Sequence, residues 1–181
     1  VKGGVSMVQL REKESSTREF VERAIRLKEV LTPYGVPLII NDRVDVALAA
    51  DADGVHVGQS DMPYEMVKRL LPEGKIIGLS VESPEQVLEA NDYDLDYVAA
   101  SPVFSTTTKT NTIVEWGLDG LRWIRSVSRH PLVAIGGIHS NNVASIFKAG
   151  ADSVAVISAI VSADDPERAA RELLEKSGEP H

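Results

Sequence analysis

Short, continuously apolar runs recur along the chain at Met7–Leu10, Pro37–Ile40, Val55–Val57, Ile76–Leu79, Tyr97–Ala100, Leu132–Ile135 and Val154–Ile157. Most are β-branched and lack alternation, the pattern of parallel strands covered on both faces. Helical stretches with clear start signals lie between them. Ser16-Thr17-Arg18-Glu19 reads as a capping box ahead of a helix ending near Leu31. Ser83-Pro84-Glu85-Gln86 offers a cap, a proline at the first helical position and a returning Gln. Asp165-Pro166 opens the last helix in the same way. Seven strands alternating with helices predict an α/β fold.

A quasi-repeat narrows the class. Ala52-Asp53-Gly54-Val55, Leu95-Asp96-Tyr97-Val98 and Ala151-Asp152-Ser153-Val154 each follow a helix and enter a strand. Repeated β/α modules suit a (β/α)₈ TIM barrel better than an open doubly wound sheet, and no Gly-x-Gly-x-x-Gly follows any strand. The expectation is a single barrel domain over residues 1–181. A full barrel needs eight strands, and Val1-Lys2-Gly3-Gly4 reads as the glycine stop of a helix. The first strand and most of the first helix are therefore expected to be absent, leaving the domain N-terminally incomplete.

Composition excludes several classes. The 181 residues suffice for one domain with a real core, and a net charge of −8 argues against broad nucleic-acid binding. There are no cysteines, so disulfides and thiolate metal sites are excluded. No apolar run reaches membrane-spanning length and no signal peptide is visible, which agrees with a cytoplasmic protein and no membrane partner. A homo-oligomer stays open.

In a parallel barrel the strand C-termini share one face, and that face carries the active site. The residues leaving the strands are Gln9, Arg11 and Lys13; Asn41, Asp42 and Arg43; Gln59 and Asp61; Ser80; Ser105 to Lys109; Gly136-Gly137; and Ser158. Alternation after the first strand puts Gln9, Arg11 and Lys13 on one side. The hydroxyl-rich run Ser105-Thr106-Thr107-Thr108-Lys109 suits an anion, although it is no P-loop. Asp42 and Asp61 leave neighbouring strands, and two carboxylates plus phosphate oxygens suit Mg²⁺. Each aspartate also precedes a helix, so capping competes for either one alone. Gly136-Gly137 permits close backbone approach to a ligand or only a tight turn. The segment from Val156 to Ile160 starts a short helix suited to a phosphate. His56 reads as a structural strand histidine, His139 as loop surface or a helix-start residue, and Trp116 and Trp123 as packing residues.

Five runs in order carry a family resemblance: Gln-Leu-Arg-Glu-Lys, Ile-Asn-Asp-Arg-Val-Asp-Val-Ala, Gly-Val-His-Val-Gly-Gln-Ser-Asp, Pro-Val-Phe-Ser-Thr-Thr-Thr-Lys and Ala-Ile-Gly-Gly-Ile. Together they resemble the thiamine-phosphate synthase family over essentially the whole chain. The resemblance implies a (β/α)₈ barrel joining hydroxymethylpyrimidine diphosphate to a thiazole phosphate, with Mg²⁺ required. Thiamine phosphate and pyrophosphate are the implied products, with carbon dioxide also lost from a carboxylated thiazole phosphate. It assigns Gln9, Leu10, Arg11, Glu12, Lys13, Asn41, Ser80 and Lys109 to the pyrimidine diphosphate, and Asp42 and Asp61 to Mg²⁺. It assigns Thr106, Thr107, Thr108, Gly137, Ile157 and Ser158 to the thiazole phosphate. Ser101 stands where many relatives have Gly.

The implied reaction is dissociation of pyrophosphate to a pyrimidine-stabilised carbocation, captured by the thiazole nitrogen. It needs charge stabilisation from Mg²⁺, Arg11, Lys13 and Lys109, with Ser80 among the catalytic set, and no protein nucleophile. The alternatives are a thiazole tautomerase-like relative, a phosphate-ligand binding barrel without turnover, and another phosphate-binding barrel such as an epimerase. The tautomerase relative characteristically lacks the complete set formed here by Asn41, Asp42, Asp61, Ser80 and Lys109.

Overall fold

The computed structural model describes residues 1–105 and 115–178. Two compact units result: Val5–Leu79, with Val1, and the chain from Ser80 onward, with Lys2–Gly4. Helices and parallel strands alternate in chain order throughout, which is the (β/α)-barrel class of fold.

The first unit contains β1 (Val8–Leu10), α1 (Thr17–Leu31), a 3₁₀ turn (Thr32–Tyr34), β2 (Leu38–Asn41), α2 (Val44–Ala49), β3 (Gly54–Val57), α3 (Tyr64–Leu70) and most of β4 (Ile76–Val81). Its strands pair in parallel with Leu10 opposite Ile40, Asn41 opposite His56 and Val57 opposite Leu79. Leu38, Ile39, Ile40 and Val55 are fully buried. Burying an aliphatic side chain of this size stabilises the fold by about 1.5–3 kcal/mol. The predicted capping box is present: Ser16 Oγ accepts from the Glu19 N–H at 3.3 Å, and Glu19 accepts from the Ser16 N–H at 2.9 Å. α1 then buries Phe20, Ala24 and Leu31, the apolar stripe of its otherwise charged sequence.

At the opposite strand ends, Asp51 ties three elements together. Lys28 of α1 donates to the Asp51 carbonyl and, at 3.1 Å, to its carboxylate. Lys75, just before β4, donates to the other carboxylate oxygen at 2.6 Å and to the Ala52 carbonyl at 2.8 Å.

The second unit contains α4 (Pro84–Ala90), β5 (Tyr97–Ala100), α5 (Gly117–Val127), β6 (Leu132–Ile135), α6 (Val143–Lys148), β7 (Ser153–Ala155), α7 (Ser158–Val161) and α8 (Pro166–Ser177). β5 pairs β6 and β6 pairs β7, both in parallel. Ser83 caps α4 through the Gln86 N–H, but the Gln86 side chain returns to the Glu82 N–H at 2.7 Å, one residue beyond the predicted partner. Asp165 caps α8 through the Arg168 N–H at 2.9 Å, as its sequence signal predicts. Trp116 and Trp123 stack with centroids 6.2 Å apart and planes 10° from parallel, while Trp116 Nε1 donates to the Val81 carbonyl at 3.1 Å.

The ends of β4 and β7 differ from expectation by two residues, and β2 runs one residue further than expected, so that Asn41 lies in the strand. β4 runs to Val81 because the Val81 carbonyl is engaged by the Ser101 N–H, so Ser80 lies within the strand. β7 stops at Ala155, because Ile157 leaves extended geometry (φ −117°, ψ −78°) to open α7.

The quasi-repeat has a structural cause. Asp53 Oδ2 accepts from the Leu38 N–H at 2.8 Å, and the Asp53 N–H donates to the Leu38 carbonyl at 2.9 Å. Asp152 does the same with Leu132, at 2.7 and 2.8 Å. In each unit the aspartate entering a strand completes the backbone pairing of the residue that opens the preceding one. None of the helices among the described residues is long and apolar enough to cross a membrane.

Candidate functional site

In the first unit, alternation beyond β1 leaves Gln9, Arg11 and Lys13 exposed, while Leu10 and Glu12 are half-buried. Glu12 is held by Arg23 of α1 at 2.7 Å, which fixes the loop between the two cations. Arg11 makes no hydrogen bond or ion pair among the described residues. Lys13 is paired directly with Asp42.

Asp42 follows β2 in an uncommon backbone conformation. Its φ is +63°, a left-handed geometry that costs a non-glycine residue about 1–2 kcal/mol. The Arg43 N–H donates to the Asn41 carbonyl at 2.7 Å, closing a three-residue turn around Asp42. The Asp42 N–H in turn donates to the His56 carbonyl at 2.8 Å. Asn41 and His56, which pair across β2 and β3, are both buried. His56 is thus a strand histidine, and it also lies within electrostatic reach of Asp42.

Asp61 closes the loop after β3. Its Oδ2 accepts from the Gly58 N–H at 2.7 Å, and its N–H donates to the Gly58 carbonyl at 3.2 Å. Asp42 and Asp61 interact side chain to side chain. Burial pushes the Asp42 carboxyl up, but hydrogen bonds from Lys13 and Asp61 outweigh it and leave it below the usual range. Burial, then a hydrogen bond with Asp42 and more weakly its charge, push the Asp61 carboxyl up. The lysine takes the charge of one carboxylate, and the other bears the repulsion.

Neither aspartate is the N-cap residue of the helix that follows it. α2 has Arg43 at its N-cap position and α3 has Pro63, neither with a side-chain cap from Asp42 or Asp61. What remains is an ammonium and two interacting carboxylates at the ends of neighbouring strands. The two carboxylates supply hard oxygens, the ligand type that Mg²⁺ takes. Among the described residues, no group of three or more His, Asp or Glu is placed to hold a metal ion, so this site offers the two carboxylates alone.

In the second unit, Ser80 is buried within β4. Gly136 (φ +104°) and Gly137 (φ +66°) follow β6. A Cβ on Gly137 would meet Phe104 Cβ at 2.7 Å and the Ser105 carbonyl at 2.9 Å. The close approach that these glycines permit is made by their own chain, whose Val103 and Phe104 N–H groups donate to the Ile135 and Gly136 carbonyls. Asn142 Nδ2 donates to the Gly137 carbonyl at 2.8 Å, and Asn142 Oδ1 accepts from the His139 N–H at 2.9 Å. Ile157 and Ser158 are exposed at the start of α7, as the short-helix expectation requires. Thr106, Thr107, Thr108 and Lys109 lie outside the described residues.

Sequence reasoning missed the supports of this site. Arg23 steadies Glu12, Asn142 steadies Gly137, and Arg43 is bound to Asp45 and Thr17. Asn and Asp tolerate left-handed geometry, so Asn41-Asp42 held a faint signal of the turn. The long-range tethers left none.

Comparison with known proteins identifies the family. The sequence profile of the thiamine monophosphate synthase family matches residues 1–160. The thiamine-phosphate synthase of Albidiferax ferrireducens is 54% identical over 166 residues, which is 92% of this chain and 76% of that protein. That of Vibrio parahaemolyticus is 51% identical over 174 residues, 96% of this chain and 85% of the relative. Among solved structures, the thiamine phosphate pyrophosphorylase of Pyrococcus furiosus superposes with a TM-score of 0.89 at 42% identity, covering 97% of this chain and 84% of the other.

Proposed function

The chain belongs to the thiamine monophosphate synthase family and is a transferase, and on that premise we propose that it joins hydroxymethylpyrimidine diphosphate to a thiazole phosphate. The products are thiamine phosphate and pyrophosphate. The observation that carries this reading is the cluster of Lys13, Asp42 and Asp61 at neighbouring strand ends.

The C–O bond to the diphosphate breaks with its electron pair leaving on pyrophosphate, and the thiazole nitrogen lone pair forms the new C–N bond. No side chain need attack. Arg11 and Lys13 meet the negative charge that grows on the leaving group. Gln9, Leu10, Glu12 and Asn41 line the pyrimidine diphosphate with them. Asp42 and Asp61 would hold Mg²⁺, which supplies further positive charge to the departing diphosphate. Gly137, Ile157 and Ser158 hold the thiazole phosphate together with Thr106 to Thr108, and hydroxyl side chains suit a phosphate.

The test is a coupled assay with both substrates, with and without Mg²⁺. Pyrophosphate and thiamine phosphate appearing together, only with the metal, is the expected result. Binding of both substrates without pyrophosphate release would overturn the assignment in favour of a non-catalytic barrel.

A further inference from the structure

Beside Asp42, the Arg43 guanidinium makes a forked pair with Asp45, through Nε to Oδ1 at 2.8 Å and Nη2 to Oδ2 at 2.6 Å. The same Nη2 donates to Thr17 Oγ1 at 3.0 Å, at the first residue of α1. Arg43 itself is non-helical (φ −95°, ψ 89°), which lets residues two apart face each other. One arginine therefore fastens the residue after the left-handed turn to the first turns of two helices. We propose that Arg43 is a positioning residue, and that its fork with Asp45 and its bond to Thr17 hold the Asp42 carboxylate toward Lys13 and Asp61.

The proposal rests on the functional reading above for its kinetic consequence, but its structural content stands apart. The Arg43 and Asp45 side chains are 38% and 62% exposed, and exposed ion pairs add little to global stability. The clamp's work is local: it offsets the tendency of Asp42 to relax out of left-handed backbone. A planar fork does this where an ammonium does not, because Lys cannot bind a carboxylate through two parallel N–H bonds. Hydrogen bonding to Asp45 raises the Arg43 pKa and lowers that of Asp45, so the pair stays charged across the working range.

The test compares Arg43→Ala, Arg43→Lys, Asp45→Asn and Thr17→Val in the full chain, with Arg171→Ala on α8 as a distant control. In Arg43→Ala, kcat should fall about 100-fold and the half-saturating Mg²⁺ concentration should rise, with KM for the thiazole phosphate unchanged. Amide hydrogen exchange should quicken roughly tenfold at Asp42 and Arg43 while Ile40 and Val55 keep their protection. The thermal midpoint should barely move. Arg43→Lys should stay impaired, and Asp45→Asn and Thr17→Val should give smaller losses of the same kind. Unchanged exchange at Asp42 and Arg43, full activity in Arg43→Lys, or a large fall in the thermal midpoint would overturn the clamp. If the unaltered chain releases no pyrophosphate, the functional reading fails, while the exchange measurements still decide the clamp.

Discussion

Asp53 and Leu38 exchange two hydrogen bonds, the aspartate carboxylate and the leucine carbonyl each accepting the other's backbone N–H. The leucine opens a buried strand, and its N–H takes the aspartate carboxylate as its acceptor. Asp53→Ala should therefore lower stability by about 1–3 kcal/mol, the cost of stranding a buried donor. Asp53→Asn retains an acceptor oxygen and should recover most of that loss. Asp152→Ala should behave alike through Leu132. Urea unfolding checks this, and an Asp53→Ala midpoint equal to that of the parent would show that the repeat is not structural.

Asp42→Ala and Asp61→Ala should abolish turnover at ordinary Mg²⁺ without loss of fold. Neither carboxylate caps its following helix, so removing either leaves the secondary structure supported. Partial recovery at high Mg²⁺ is expected for the variant that retains the better ligand. Circular dichroism paired with the coupled assay separates the two effects. Near-parental turnover in both variants would dismiss the metal assignment.

Acid stability should register the ties at Asp51. Hydrogen bonds from Lys75 and then Lys28 hold its carboxyl at about 2, below the ordinary 3.8. A carboxyl depressed in the folded state stabilises it above the unfolded value, and that contribution is lost as pH falls from 3.8 through about 2. Asp51→Asn should accordingly be slightly less stable at neutral pH and should lose less stability than the parent across that acidic window. The difference should shrink in high salt because the carboxylate is solvent-exposed. Urea midpoints measured on both sides of the window report it, and parallel pH profiles for the two proteins would contradict it.

Gly137→Ala forces a side chain into left-handed backbone against Phe104 and Ser105. A cost of about 1–2 kcal/mol follows from the backbone alone. KM for the thiazole phosphate should rise while that for the pyrimidine diphosphate holds. Separate titrations of the two ligands decide this, and a defect confined to the pyrimidine ligand would reverse the allocation.

Much of this was legible in the chain. β5 and β6 have the bounds that their apolar runs mark, β5 buried throughout and β6 alternating buried and half-buried positions. β7 is less buried and its run continues into α7, so apolarity alone overshoots its end. Lys13 and Asp42 were legible as residues leaving neighbouring strands. The left-handed turn at Asp42 was not, since a single φ is chosen by tertiary contacts such as those to His56. Arg43 and Asp45 stand two apart, a spacing at which helical side chains do not meet, and Thr17 lies far off in sequence. The recognition of which side chain anchors which needed coordinates.

Both tryptophans of the chain sit face to face in the second unit. Their ultraviolet emission therefore reports on that unit and is silent about the first. An unfolding curve followed by tryptophan fluorescence, set beside one followed by far-ultraviolet dichroism, gives an optical test of whether residues 5–79 and the remainder melt together. Coincident curves would mean that the two compact units share one cooperative transition. A separation would give each its own melting point, with the tryptophan pair as a built-in dye for just one of them.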